Sequence, residues 1–162
     1  MKVIKGNLLD LADQGKFDVI IHGCNCFHAM SGGIARQIAE RYPEVEAADN
    51  LTEKGAKWKL GTTDNVVVRR PFKLLGIPIL GLTRSFIVIN AYTQYNPGAD
   101  FNYEAIKDCF EYIKLTAKGL NMRIAYPMIG AGIAGGDWNV ISKIIDQELE
   151  GEDHTLVVWD GK

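Results

Sequence analysis

The chain is predicted to be an α/β protein built around a single core, and three observations lead there. Short apolar runs that suit buried strands alternate with segments whose apolar residues recur at helical spacing. Two of the junctions from strand to helix are rich in glycine, around Gly32-Gly33 and from Gly130 to Gly136. The composition is that of an ordinary globular chain, 162 residues with 47% hydrophobic and 23% charged, which suits one domain over residues 1–162.

Met1 to Ile4 is read as a strand, broken by Gly6-Asn7 ahead of Leu8, Leu9 and Leu11. Phe17 to Ile21 is a second strand, and from Ile34 the apolar positions change to helical spacing at Ile34, Ile38 and Tyr42. Between them a loop is expected to hold His22, Cys24, Asn25, Cys26, His28 and Ser31-Gly32-Gly33. Pro43 suits a first helical position, and a surface helix should follow over Glu44 to Lys54 with Val45, Ala48 and Leu51 facing inward. Lys57-Trp58-Lys59 fits a half-buried aromatic anchor better than a nucleic-acid platform.

Asn65 to Arg70 and Ser85 to Asn90 are β-rich runs on either side of a very apolar insert, residues 71–84. Gly76 and Pro78 argue against a helix there, so the insert is expected to be a hairpin extension that packs on the body or on another subunit. Ala91 to Gly98 is a polar, aromatic loop beyond a strand end, where α/β proteins place ligand groups. Asn102 should cap a helix whose stripe is Tyr103, Ile106, Phe110 and Ile113. A strand from Arg123 to Tyr126 then leads into Pro127-Met128-Ile129-Gly130-Ala131-Gly132-Ile133-Ala134-Gly135-Gly136-Asp137-Trp138. The helix after it, to about Leu149, should bury Ile141, Ile144, Ile145 and Leu149, and Thr155 to Trp159 is a last strand.

A formal charge of −2 provides no global positive field to draw in nucleic acid. The three cysteines, Cys24, Cys26 and Cys109, are an odd set, and Cys24 and Cys26 are too close for an easy disulfide, which suits a reducing compartment. His22 and His28 beside Cys24 and Cys26 do not have zinc-finger or ribbon spacing, so no metal and no resident cofactor are expected. The first residues run straight into a strand, and no apolar run is long enough to span a bilayer, so a soluble, cytoplasmic protein with no membrane partner is expected.

The two glycine loops carry the functional signal. Gly130-Ala131-Gly132-Ile133-Ala134-Gly135 satisfies the Gly-x-Gly-x-x-Gly dinucleotide pattern, but the chain lacks the further strands and ribose-binding acid that a dinucleotide fold needs after it. A better account uses both loops. The first amides of a helix lack intrahelical partners and carry partial positive charge, so two such junctions can clasp one diphosphate without a lysine. A nucleoside diphosphate is the ligand class that follows.

With Lys5-Gly6-Asn7-Leu8-Leu9, the stretch His22-Gly23-Cys24-Asn25-Cys26-Phe27-His28 through Ile38, and Tyr126 to Trp138, the chain resembles the macrodomain family of ADP-ribose-binding modules. It looks most similar to the branch of yeast-type ADP-ribose-1''-phosphate phosphatases with phage and bacterial relatives. The resemblance implies a three-layer α/β/α sandwich around a mixed, mostly parallel sheet. It implies that Asn7 and the Leu8 amide meet adenine and that Trp159 stacks on it. Ser31, Gly32, Gly33 and Ile34 would form one wall of the diphosphate site, and Gly130, Ala131, Gly132, Ile133 and Ala134 the other. Asn25 matches the family asparagine of the distal ribose, and Asn25→Ala is expected to cut affinity while leaving the melting temperature nearly unchanged.

For catalysis the resemblance removes two devices, because Ala35 stands at the position of one branch's acid, and Ala91 and Ala134 near those of another branch's lysine and its partner acid. His22 then either moves a proton at the leaving group or caps a strand end and orients Asn25. Asp137 is a second candidate, with an N-cap role as its alternative, and His28 either touches a terminal phosphate or faces solvent. The expected function is removal of the 1''-phosphate from ADP-ribose-1''-phosphate. The alternatives are a non-catalytic reader of ADP-ribose, or a hydrolase acting on ADP-ribosylated protein or nucleic acid.

Overall fold

Strand β2, Val19–Asn25, runs four residues beyond the apolar segment that announces it. The computed structural model, which describes residues 1–161, places it between two parallel neighbours, β5 (Ile124–Tyr126) and β4 (Ile77–Gln94). Its register with β4 continues to Asn25 opposite Gln94. Backbone pairing on this flank keeps the polar residues His22 to Asn25 in strand conformation, which corrects the loop expected there. In a strand alternate side chains take opposite faces, so His22 and Cys24 are separated from Gly23 and Asn25.

β1 (Lys2–Lys5), β6 (His154–Val158) and β3 (Thr63–Leu74) complete a six-stranded sheet in the order β1-β6-β5-β2-β4-β3. Every pairing is parallel except that of β3 with β4. Val19, Ile21, Ile89 and Tyr126 face one layer of helices, α4 (Tyr103–Ala117) and α5 (Trp138–Glu148). Ile20, Val88, Ala125 and Val157 face the other, α1 (Leu8–Asp13), α2 (Gly33–Arg41) and α3 (Pro43–Leu51). The result is the three-layer α/β/α sandwich with a mixed, mostly parallel sheet.

Helix α1 was not legible as such. Asn7 starts it by accepting hydrogen bonds at Oδ1 from the Leu9 and Asp10 amides, and Leu8, Leu9 and Ala12 bury its inner face. Two expectations near α3 are reversed. Leu51 is 89% exposed while Asp49 is buried, because Asp49 Oδ1 accepts from Tyr92 Oη at 2.8 Å and lies 3.5 Å from Lys59 Nζ. Lys59 is fully buried there, donating also to Thr52 Oγ1 and lying over the Tyr92 ring, whereas Trp58 is 63% exposed. A charge enters the core only with partners in place, and this one has three.

The insert at 71–84 is the distal part of the β3–β4 ribbon, closed by Leu75-Gly76. Both turn residues have positive φ, +52° and +82°, as a two-residue turn matched to strand twist requires. Leu74, Leu75, Ile77, Leu80 and Leu82 are exposed, so the tip of the ribbon does not pack on the body, and Arg84 at its base reaches across, donating to Gln14 O.

Candidate functional site

Five parallel strands end along one edge of the sheet, and the loops that follow them enclose a cavity of about 640 Å³. That size suits a ligand of nucleotide class. At one end, beyond β1 and β6, stand Gly6, Asn7, Leu8 and Trp159. The middle is formed by the loops after β5 and β2, and the far end by Asn25 with Thr93 and Gln94 at the end of β4 and Pro97 and Gly98 beyond it.

The loop before α2 leaves its amides for a ligand. Gly32 occupies the N-cap with no side-chain hydrogen bond, and the first backbone bond into the helix is Arg36 N–H to Gly32 O. The amides of Gly33, Ile34 and Ala35 therefore point outward with the positive end of the helix dipole behind them. The facing loop is held at its base: Gly136 N–H donates to Gly130 O, Gly135 N–H to Gly132 O, and Phe101 N–H to Ala134 O. The amides of Gly132, Ile133 and Ala134 have no acceptor within the protein among the described residues. The loops come within contact of each other, since a Cβ on Gly32 would lie 2.9 Å from Ile133 Cδ1.

Asn25 does more than line the cavity. Its Oδ1 accepts from the Phe27 amide at 2.9 Å and the Ala29 amide at 3.3 Å, and its Nδ2 donates to Ala29 O at 2.9 Å. One Nδ2 hydrogen is left to offer a ligand. The side chain thus staples residues 25–29, so Asn25→Ala must also lower stability, which corrects the expectation of an unchanged melting temperature. Asn7 Oδ1 is likewise committed to α1, and the cavity is offered chiefly its Nδ2 donor.

Three sequence candidates do not reach the cavity. His22 is fully buried on the opposite face of β2, where its Nε2–H donates to Asn90 Oδ1 at 2.6 Å. Burial lowers its pKa to about 4, against an ordinary 6.5, so it is a neutral core histidine and not a proton donor to substrate. Asp137 accepts from the Asn139 amide and caps α5. His28, at φ +61°, turns its Nε2 to Thr52 Oγ1 at 3.0 Å, away from the ligand space. The cysteines are buried and burial raises each thiol above its ordinary value, so none is a nucleophile at neutral pH. Among the described residues no group of three histidine, cysteine or acidic side chains stands together to hold a metal, and no helix is long and apolar enough to cross a membrane. No titratable side chain lines the cavity among the described residues.

The burial of His22 has a measurable consequence. Between its folded and unfolded pKa values the unfolded chain binds a proton that the folded chain does not. Its contribution to stability is intact above about pH 6.5 and is lost as the pH falls toward 4, by about 3 kcal/mol in all. Urea unfolding at pH 7.5 and 4.5 should show a loss that is smaller in His22→Gln by about 2 kcal/mol. Equal losses in the two proteins would assign the acid sensitivity elsewhere.

Sequence reasoning put Thr93 and Gln94 in a ligand-side loop, whereas backbone pairing makes Ala91 to Gln94 the end of β4, and it did not single out Gly6 or Gly23 for the site. Gly23 admits no side chain, since a Cβ would lie 2.9 Å from Thr93 Oγ1 and 3.0 Å from Ile129 Cγ2. Gln94 donates through Nε2 to Asn96 O and Gly98 O and so shapes the rim. The only signal for these residues was their place at strand ends.

A cavity at the carboxyl edge of a mostly parallel sheet, walled by two amide-presenting loops, is where α/β proteins hold their ligands. The Macro domain family model matches residues 21–145, and the chain belongs to that family. It is 36% identical over 165 residues to an uncharacterized 17.5 kDa protein in the tk-vs intergenic region of Enterobacteria phage T4, across 99% of this chain and 97% of that one. A 43-residue stretch is 44% identical to the ADP-ribose 1''-phosphate phosphatase of Saccharomyces cerevisiae, covering 26% of this chain and 23% of the yeast protein. Among solved structures, the macrodomain of Mycobacterium tuberculosis DarG superposes with a TM-score of 0.70 at 24% identity, over 99% of this chain and 97% of that one. Thermosipho africanus DarTG in complex with ADP-ribose superposes with a TM-score of 0.71 at 13% identity, over 100% of this chain and 43% of that one.

Proposed function

We propose that the protein binds ADP-ribose, free or carried on a larger molecule, and acts as a reader of that group. The observation that carries this reading is the order of groups along the cavity. An aromatic side chain, Trp159, with Asn7 and Leu8 stands at the β6 end; two sets of unpaired amides follow; the Asn25 amide stands at the β4 end. That sequence of chemistry matches base, diphosphate and distal ribose. Backbone amides and a helix dipole hold a diphosphate without a cationic side chain, and stacking with polar edge contacts suits a purine.

The lack of any titratable group among the described lining residues favours binding over turnover. General acid–base catalysis needs a proton-transferring group within hydrogen-bond reach of the reacting atoms. A second reading, removal of the 1''-phosphate from ADP-ribose-1''-phosphate, rests on the short stretch shared with the yeast phosphatase. On that reading Asn25 and the loop amides position a water and the leaving group, and rate comes from orientation alone.

Titration calorimetry with ADP-ribose, followed by a phosphorus NMR time course of ADP-ribose-1''-phosphate with stoichiometric protein, tests both. The expected result is saturable heat with ADP-ribose, and phosphorus signals that shift or broaden with no growth of inorganic phosphate. Phosphate release lost in Asn25→Asp would establish the phosphatase instead. A flat titration with ADP-ribose would remove both readings.

A further inference from the structure

We propose that the base end of the cavity selects a 6-oxopurine, hypoxanthine or guanine, over adenine, and that Asn7 is the residue that makes the selection. The inference rests on the reading of the cavity as an ADP-ribose site and concerns which base that site holds best. The observation that carries it is the direction in which the Asn7 side chain is locked. Its Oδ1 accepts from the Leu9 amide at 2.9 Å and from the Asp10 amide at 3.2 Å. Both neighbours are N–H donors, so the carboxamide cannot turn over without setting its own NH2 against them. Nδ2 is therefore the group that Asn7 offers to the cavity it lines, and Nδ2 can only donate.

The backbone beside it has the same sense. The Leu8 amide, at the same end of the cavity, has no acceptor within the protein among the described residues. Two carbonyls close by are committed inside the fold, since Gly6 N–H donates to Val158 O and Leu11 N–H to Asn7 O. The base end thus presents two adjacent donors, and a purine meets such a pair best with two adjacent acceptors. The O6 and N7 atoms of guanine are that pair, and hypoxanthine carries the same two, whereas adenine puts its N6 amino donor beside N7. With adenine one donor faces another, and a donor taken from water without a new partner costs affinity.

The other groups that line the cavity do not discriminate in this way. Trp159 can stack on any base, because every base has an aromatic face. Gln37 of α2 also lines the cavity, and its side chain has no hydrogen-bond partner among the described residues. Its carboxamide is free to turn and suits a donor or an acceptor alike. Asn7, unlike Gln37, is held in one sense. Asp in its place would keep an oxygen for the two capped amides and replace the donor by an acceptor, which is what the amino group of adenine needs.

Titration calorimetry with ADP-ribose and with inosine diphosphate ribose tests this, because the two ligands differ only at position 6 and in the N1 proton that the change brings. The parent chain should bind the inosine compound about tenfold tighter, and Asn7→Asp should shift the ratio of the two affinities at least about tenfold toward ADP-ribose. Reading the ratio within each protein cancels the added charge. A merely capping Asn7 would leave that ratio unmoved, because Asp caps a helix about as well as Asn does. The inference is overturned if the parent chain binds ADP-ribose as tightly as the inosine compound or more tightly, a result that needs no variant to fold. An unchanged ratio in Asn7→Asp overturns it too. Both of those results leave the ADP-ribose reading standing, whereas no heat with either ligand removes that reading and this inference together.

Discussion

Gly130→Ala should lower the melting temperature by about 10 °C and abolish detectable ADP-ribose binding. Gly130 has φ +76°, a region that costs an L-residue roughly 1–2 kcal/mol, and a Cβ there would lie 2.2 Å from Phe101 Cε2. Displacing a packed ring adds about 1–3 kcal/mol, and a total near 3 kcal/mol corresponds to roughly that shift for a chain of this size. The loss of binding follows from where Phe101 is tied. Its amide donates to Ala134 O, so a ring pushed aside drags the loop that presents the Gly132 to Ala134 amides. Thermal unfolding and calorimetry on Gly130→Ala, Phe101→Ala and the double variant check the cause. The two substitutions should be strongly non-additive, because the small residue relieves the overlap that the alanine creates. Additive effects would mean that Phe101 is not what Gly130 must avoid.

Asn25→Ala should weaken ADP-ribose binding at least about tenfold and lower stability by about 1–3 kcal/mol. Truncation leaves the Phe27 and Ala29 amides and Ala29 O without their partner. Asn25→Asp separates the two roles. The aspartate keeps an acceptor for both amides but loses the donor and adds a negative charge beside a diphosphate, so it should retain most of the stability and still lose the affinity. Calorimetry paired with urea unfolding reads both quantities. An aspartate variant that binds as well as the parent would show that Asn25 shapes the loop without touching the ligand.

The glycine loops show what local chemistry makes legible. A run such as Pro127 to Trp138 can be read as a ligand loop because glycines with positive φ, an Asp N-cap and a following apolar stripe are all properties of adjacent residues. The same holds for the Asn102 cap of α4 and the alternation of strand and helix that places every loop of the cavity at one sheet edge. Strand and helix periods and cap preferences act over a few residues, and so the α/β class and the ligand-bearing loops are written in the chain.

Facing was decided elsewhere. The stretch His22 to His28 holds two histidines, two cysteines and an asparagine, all capable of chemistry, yet whether His22 meets ligand or core depends on β2 being paired as far as Asn25, a contact with residues nearly seventy positions away. Pairing fixes the alternation, sends His22 to Asn90 and Asn25 to the cavity, and removes the acid–base group from the site. Lys59 and Trp58 exchange the places that hydropathy assigns them because Asp49 and Tyr92, distant in sequence, solvate the ammonium. The sequence by itself determined the class of fold, the two amide loops and the ligand chemistry they favour. Only the tertiary structure decided which polar side chains face that ligand, because burial and pairing are set by partners that no local window contains.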